Sequence, residues 1–319
     1  MSADNQARVE VDEPARTPEG HEIFMFRTVD PVVQERTEAG LPTKEERKEN
    51  LDNMFVTCSN EQCAKAVKRV EIKAKNLQSC LFLKARYCSP ACQKVDWKAN
   101  HKEECGKGPR KELSLKLAER SLAVPDVQHF LAHTGILLLE LVEKPNNWKT
   151  NVVKVVCTTQ VADMQEHFRR MIAGEGDEDA QVCLAYSTIE KVALNDAPEL
   201  TKLTAKRKEE TFKKDRKDMD ENLSRENNPI ITYYVTNEKG DGDDGVVSLS
   251  LVIPMYEMMR MATKPKLHYR SAMRGEYEVD MTPNSLTEGV NNFIRMDKQN
   301  KLRLRGYRNG SKATSSESK

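Results

Sequence analysis

Seven side chains able to bind a metal ion lie within 48 residues of this 319-residue chain, and this cluster constrains the fold more than any other feature. They are Cys58, Cys63, Cys80, Cys88, Cys92, His101 and Cys105. Six of them form three pairs with the spacings Cys58-x4-Cys63, Cys88-x3-Cys92 and His101-x3-Cys105. Each spacing sets two soft ligands one helical turn or one tight turn apart, so that both can reach one tetrahedral zinc ion. A segment this short has little apolar core, so the pattern predicts a fold stabilised by metal.

The last two pairs cannot share one ion on a single straight helix. Ser89 and Pro90 indicate a helix start, with Ser89 as the cap and Pro90 at the first helical position. In an unbroken helix, Cys92 and His101 would be separated by about 900° of rotation and about 13.5 Å of rise, which places them on opposite faces. One ion could take both pairs only if the chain broke, and such a break is most expected at Ala99-Asn100. The sequence therefore predicts two metal sites.

Residues 87–97, Tyr-Cys-Ser-Pro-Ala-Cys-Gln-Lys-Val-Asp-Trp, followed by His-Lys-Glu-Glu-Cys at 101–105, resemble the second half of a MYND-type zinc finger. In that family two zinc ions are held in interleaved fashion, the first and third ligand pairs on one ion and the second and fourth on the other. The resemblance implies a first zinc bound by Cys58, Cys63, Cys88 and Cys92. It assigns Cys80, His101 and Cys105 to a second zinc.

The chain departs from the family pattern in its first half. Cys58 and Cys63 enclose four residues where the family has two, which zinc sites still tolerate. Three residues after Cys80 stands Leu83, which cannot bind metal, so the second site is one ligand short. The spacer at residues 64–79 is longer than usual, which leaves the register of Cys80 open. We therefore expect one tightly bound zinc, with the second weak or absent.

Composition limits the class of protein. With 38% hydrophobic and 32% charged residues, the chain has the composition of a soluble protein with sizeable polar segments. It has no apolar run near 18 residues, so we expect no membrane contact, and residues 1–10 do not form a secretory signal. Cysteines at zinc-ligand spacings in an unexported chain predict a reducing, intracellular location, with nucleus and cytoplasm both open. We expect Cys157 and Cys183, outside the cluster, to be packing residues.

Charge is unevenly distributed along the chain. Residues 1–57 carry 7 Lys and Arg against 13 Asp and Glu, whereas residues 58–110 carry 12 against 5. The spacer concentrates the positive charge in Lys65, Lys68, Arg69, Lys73 and Lys75. Such a surface can bind nucleic acid, an acidic peptide or the acidic leader itself, or can remain simply solvated. Nucleic acid is the weaker alternative, because the spacer has no aromatic residues on which bases could stack.

Four segments follow from these patterns: an acidic, partly disordered leader (1–50), the MYND-like finger (51–108), an α+β domain of unknown role (109–305) and a disordered tail (306–319). We expect the apolar group at 23–26 to dock on a neighbouring domain, and Thr43 and Glu46 to form a capping box. Predicted helices cover 113–118, 130–142, 161–172, 198–227 and 286–302, and predicted strands cover 152–159, 180–185, 230–235 and 246–253. The last two strands should form an antiparallel hairpin around an acidic turn at 240–245.

Three classes of function compete: a protein-interaction module, an enzyme, and the nucleic-acid binder considered above. Because MYND-like fingers are generally peptide-binding adaptors, the resemblance implies a protein-interaction module, for instance in transcriptional or regulatory complexes. Some proteins with such fingers are SET-type lysine methyltransferases, but the Asn-His pair here, Asn100-His101, lies inside the finger, and residues 275–277 do not match the second SET motif. His129 and His133 are spaced i, i+4, but Phe130 stands where a metalloprotease needs glutamate, so helix packing is the favoured interpretation. We therefore expect no enzyme, with activity in residues 109–305 left open.

Overall fold

The computed structural model of the chain describes residues 8–11, 13–53, 55–58, 60, 63, 66–74, 86–102, 112–176, 180–196, 228–238, 247–271 and 275–307. Within these residues a small cysteine-bearing segment lies beside a larger domain built on a five-stranded sheet. The predicted α+β domain with an antiparallel hairpin is confirmed. No helix among the described residues is both long and apolar enough to cross a membrane.

The leader contains more regular structure than its composition predicts. Its elements are β1 (Arg8–Val11), β2 (Ala15–Arg16), β3 (Glu22–Ile23), β4 (Phe26–Val29), α1 (Pro31–Gly40) and α2 (Lys44–Asn53). β1 pairs with β4 and β2 with β3, both antiparallel. The strands at 8–11 and 15–16 lie in the leader that was expected to be partly disordered. Residues 8–11 alternate charged and apolar side chains, a pattern typical of a strand with one exposed face. Residues 1–7 and 12 lie outside the described part of the chain.

Two further expectations for the leader have different outcomes. The capping box is confirmed, because the Glu46 amide donates to Thr43 Oγ1 at 3.2 Å and the Thr43 amide donates to Glu46 Oε2 at 2.7 Å. Docking of the apolar group at 23–26 is not observed, since the side chains of Phe24 and Phe26 are more than half exposed. Phe26 lies in a two-stranded sheet, and the described part of the chain leaves it 66% exposed.

The cysteine-bearing segment contributes β5 (Phe55–Thr57), β6 (Ala66–Lys68), α3 (Arg69–Ala74), α4 (Pro90–Asp96) and a π-helical turn, Trp97–His101. At Ala99-Asn100, the place where a break was most expected if the chain broke, helical backbone continues through both residues in this wider turn. A π-turn changes the direction of the residues that follow it while keeping the backbone hydrogen-bonded.

The larger domain contains the remaining helices and strands. They are α5 (Leu113–Ser121), α6 (Pro125–Leu138), β7 (Asn151–Val161), α7 (Met164–Ile172), β8 (Gln181–Ala193), β9 (Ile230–Asn237), β10 (Val247–Val252), α8 (Met255–Ala262), β11 (Lys266–Ser271), β12 (Gly275–Asp280), α9 (Pro283–Met296) and β13 (Arg305–Tyr307). The main sheet has the order β10-β9-β7-β8-β13, with β7 and β9 parallel and the other neighbours antiparallel. β11 and β12 form a separate hairpin.

One face of the sheet packs against α5, α6 and α9 and forms the main core. Tyr233 crosses this layer, and its hydroxyl donates to the carbonyl of Leu131 at 2.8 Å. Gly135 makes this crossing feasible, since a Cβ there would lie 2.1 Å from the Tyr233 hydroxyl. Cys157 and Cys183 are fully buried in the same layer, which confirms that they pack in the core.

Several element boundaries differ from the predicted ones. β8 runs on to Ala193, beyond the predicted 185, because its outer half pairs with β7 and is supported by ionic contacts such as Lys154–Glu190 at 3.2 Å. The final helix ends at Met296 because Asp297 accepts hydrogen bonds from the amides of Lys301 and Leu302 and turns the chain.

Two predicted features, the charged helix at 198–227 and the loop at 240–245, lie outside the described residues. The tail expected to be disordered from 306 onward begins instead within β13, which pairs with β8 through Gly306 and Tyr307. Leu113 packs so closely on Gly306 that a Cβ there would lie 3.0 Å from its Cδ1. Residues 308–319 are outside the described part.

Ionic contacts tie the three parts together. Arg86 of the cysteine-bearing segment donates to Glu119 of α5 at 2.6 Å, and both side chains are largely buried. Asp30, which caps α1, accepts from Arg270 of β11 at 2.8 Å.

Candidate metal centre

Four cysteine sulfurs converge at one point. The Sγ atoms of Cys58, Cys63, Cys88 and Cys92 all lie within 4.8 Å of one another. The Sγ of Cys88 is 3.6 Å from that of Cys63 and 3.6 Å from that of Cys92. Thiolates around a tetrahedral zinc, with Zn–S bonds of about 2.3 Å, lie about 3.8 Å apart. The separations fit that geometry and exceed the sulfur–sulfur bond of a disulfide, about 2.05 Å.

A hairpin supplies the first two thiols. Cys58 directly follows β5, and Cys63 lies in the turn before β6, where its amide donates to the carbonyl of Asn60 at 2.9 Å. β5 and β6 are paired from Phe55 to Thr57, so the hairpin brings the two cysteines together. Asn60 is buried, and sequence reasoning did not single it out.

The start of a helix supplies the other two thiols. The predicted cap is confirmed: Pro90 opens α4, and the Ser89 hydroxyl accepts from the Cys92 amide at 3.2 Å. Cys88 precedes this cap and Cys92 lies in the first turn, so both sulfurs project from one end of the helix.

A buried hydrogen bond braces the centre. The Tyr87 hydroxyl donates to Asp96 Oδ2 at 2.7 Å, and both residues are buried. Tyr87 also packs with Cys58 in a small cluster surrounded by the other three cysteines. In the sequence, Tyr87 and Asp96 are recognisable only as part of a motif. Their burial in the structure explains why the motif contains them.

The four thiols can all be ionised together only with a cation at this point. The Ser89 hydrogen bond lowers the pKa of Cys92 to about 7. Burial, reinforced by the neighbouring thiols, raises the pKa of Cys88 to about 12, and burial also raises the pKa of Cys58. Four ionised thiols at this spacing repel one another strongly, so a divalent cation is needed to balance them.

Comparison with known proteins identifies this segment. Residues 58–105 match the family model of the MYND finger. This chain contains a MYND finger. Neither the curated proteins nor the solved structures include a match to the chain. The resemblance seen in the sequence is thus confirmed for the finger, and the match does not extend into the α+β domain.

The ligands predicted for the second zinc of the MYND finger lie almost entirely outside the described residues. Cys80, Leu83 and Cys105 lie outside the described residues. His101 ends the π-helical turn, and only its backbone is described.

The finger exposes an aromatic side chain next to a buried acid. Trp97 is 43% exposed, whereas Asp96 is buried. Lys94 and Lys98, both exposed, lie three residues before and one residue after Trp97 in the same helical stretch. Positions i, i+3 and i+4 share a helix face. The MYND finger therefore presents one indole flanked by two lysines.

The basic spacer of the finger is partly neutralised within the molecule. Lys73 pairs with Asp52 of α2, so the acidic leader meets the finger there. Burial, followed by the charge of Arg86, lowers the pKa of Arg69, while Glu119 and Asp52 act on it in the opposite direction. Lys65 and Lys75 lie outside the described residues. The outward positive charge is thus smaller than the sequence alone indicates.

Proposed function

We propose that the MYND finger is a protein-interaction module, structured by a zinc ion bound to Cys58, Cys63, Cys88 and Cys92. The observation that carries this proposal is the convergence of those four sulfurs within 4.8 Å inside the segment that matches the MYND family. Tetrahedral thiolate sites with no free position are structural, so the ion supports a surface and does not react.

The partner we propose is a short peptide segment that combines acidic and apolar side chains. The exposed Trp97 supplies a rigid apolar contact, and aromatic residues of this kind often dominate binding energy. Lys94 and Lys98 on the same face supply positive charge. Regulatory complexes, which assemble through such segments, are the setting we propose.

Nucleic acid binding has less support. Among the described spacer residues, Lys73 is paired with Asp52 and Arg69 is half-buried beside Glu119. The two alternatives differ in salt dependence. Neutralising about six phosphates costs about three decades of affinity between about 50 and 200 mM salt, whereas a peptide with one or two acidic contacts loses far less.

Metal analysis tests the zinc assignment. After mild chelation, the purified chain should retain nearer one zinc than two, and Cys88→Ser should lose it. A firm second zinc that Cys105→Ser releases would show that a ligand outside the assigned set completes the second site of the finger.

Selection from a displayed random peptide library on the full chain tests the interaction surface. We expect enriched peptides to carry acidic and apolar residues, and their binding to fall at least about tenfold in Trp97→Ala, a typical loss for a central aromatic contact. The matched control is Met259→Ala, because Met259 is 67% exposed on α8, outside the finger. Equal loss in both variants, or full binding by Trp97→Ala with zinc still bound, would exclude this surface.

A further inference from the structure

A second group of metal-capable side chains lies in the α+β domain. His129 and His133 are one turn apart on α6, and Glu257 is in the first turn of α8. One ligand atom from each lies within 4.8 Å of the others. Sequence spacing reveals the histidine pair, but Glu257 comes from 124 residues further along the chain than His133 and carries no local signal.

Of the two measured nitrogen–oxygen distances, one is shorter and one is longer than the separation of two ligand atoms in a zinc site. His133 Nε2 is 2.8 Å from Glu257 Oε2, and His129 Nδ1 is 3.8 Å from Glu257 Oε1. Nitrogen and oxygen ligands around a tetrahedral zinc, at bonds of about 2.0 to 2.1 Å, lie about 3.4 Å apart. Shifts of about half an ångström, well within side-chain rotation, would bring all three to an ion.

A simple buried hydrogen bond explains only part of this arrangement. It explains the contact between His133 and Glu257, whose side chains are 3% and 8% exposed. It does not explain why His129 directs Nδ1 at the other carboxylate oxygen from 3.8 Å, too far for a hydrogen bond. The two imidazole rings also meet edge to face, with centroids 4.1 Å apart.

We propose that His129, His133 and Glu257 bind a divalent transition-metal ion of the zinc class, separate from the finger. Two imidazoles and one carboxylate select such ions over Mg²⁺ and Ca²⁺, which prefer oxygen ligands. Three protein ligands leave a fourth position, which opens to solvent on the side of His129, 47% exposed.

Cobalt binding to the full chain after mild chelation, which leaves only the finger zinc in place, tests the site. Adding Co²⁺ should produce d–d absorption for about one further ion per chain, without the thiolate-to-cobalt charge transfer that exchange into the cysteine site would give. Zn²⁺ should displace it, and Mg²⁺ and Ca²⁺ should not. His129→Asn should lose this absorption, and the exposure of His129 lets the fold survive the change.

Two further variants keep the test decisive. Glu257→Gln preserves side-chain size and a hydrogen bond to His133, so near-ultraviolet circular dichroism should remain native while cobalt binding falls at least about tenfold. The matched control is His268→Asn, because His268 Nδ1 lies 3.5 Å from Glu278 Oε1 on the β11–β12 hairpin, where the described residues supply no third ligand. Absent d–d absorption in the native chain, retention of it in His129→Asn, or an equal loss in His268→Asn would overturn the proposal.

Discussion

Neighbouring residues in the finger have opposite roles. Asp96 is buried and accepts from Tyr87, whereas Trp97 is 43% exposed. A sequence motif places both residues in the finger but does not say which one faces inward. The packing of α4 decides this, because successive helical residues point about 100° apart and burial of Asp96 against Tyr87 turns Trp97 away. Substitutions at the two positions should therefore have different effects, on folding at Asp96 and on binding at Trp97.

The crossing of Tyr233 over α6 gives a residue-scale prediction. In Gly135→Ala, the new Cβ would lie 2.1 Å from the Tyr233 hydroxyl and 2.7 Å from Ile231 Cδ1, so the helix and sheet must separate. We expect a loss of about 3 kcal/mol in the free energy of unfolding, the upper end for overpacking, measured by urea denaturation.

Gly40→Ala is the control for that substitution. Gly40 ends α1, and a Cβ there meets no atom within 4 Å. The free energy of unfolding of Gly40→Ala should stay within about 0.5 kcal/mol of the native value, the range found for substitutions at open surface positions. Equal stability of the two variants would show that α6 moves away from the sheet without cost.

At the scale of elements, the sequence predicts those parts of the fold whose partners are local or whose faces are strongly apolar. β7, β9, β10 and α5 all appear near their predicted positions. The β11–β12 hairpin was missed because it has no apolar stripe. Its strands are joined by cross-strand contacts such as Lys266–Glu278 at 3.3 Å and the stacked rings of Tyr269 and Tyr277, which depend on register.

The same limit applies to the sites. The four cysteines of the finger could be grouped from the family resemblance, and the structure brings their sulfurs together. Asn60 and Tyr87 could not be recognised as supporting residues, because their burial depends on the folded hairpin. Glu257 was out of reach altogether, since its meeting with His133 depends on how α8 packs against α6.

The start of α1 gives a prediction about pH. The Arg270 hydrogen bond, aided by the amides of Val32 and Val33, holds the pKa of Asp30 below its usual value. A depressed pKa stabilises the fold above the unfolded pKa, about 3.9, and this contribution is lost as pH falls through the lower folded value. Asp30→Asn keeps a good cap but loses the charge, so it should be less stable than native at pH 7.

Comparison of unfolding midpoints checks this prediction. The difference between native and Asp30→Asn should be largest at neutral pH and should shrink below about pH 4, where the native carboxyl takes up its proton. A difference that stays constant from neutral to acid pH would show that Asp30 acts only as a cap.

At the scale of the whole molecule, the finger and the α+β domain have separate apolar clusters. Tyr87 and the cysteines form one, and the sheet with its helices forms the other. Among the described residues, Arg86–Glu119 joins the two parts by an ionic contact, and no apolar cluster is shared between them. Damage to the finger should therefore remain local.

Hydrogen exchange on Cys88→Ser tests this independence. Structural zinc supplies about 10 to 16 kcal/mol of apparent binding energy in small fingers, so loss of a ligand should abolish amide protection in β5, β6 and α4. Protection in β7 and β9 should persist. The control is Cys183→Ala, which removes a buried thiol from the sheet core and should leave the amides of the finger protected. Loss of amide protection throughout the chain in Cys88→Ser would mean that the finger is needed for the whole fold.

The pairing of β13 with β8 also affects the order in which the protein folds during synthesis. Every cysteine of the four-sulfur centre has left the ribosome once residue 92 has emerged, so the finger can capture its ion early. The sheet cannot be completed until Arg305–Tyr307 reaches β8, and β7 must wait for β9 before its parallel edge is covered. Such distant pairings form slowly. During translation, a folded finger should therefore precede a sheet whose strand edges are still open, and those edges are where a nascent chain is most prone to aggregate.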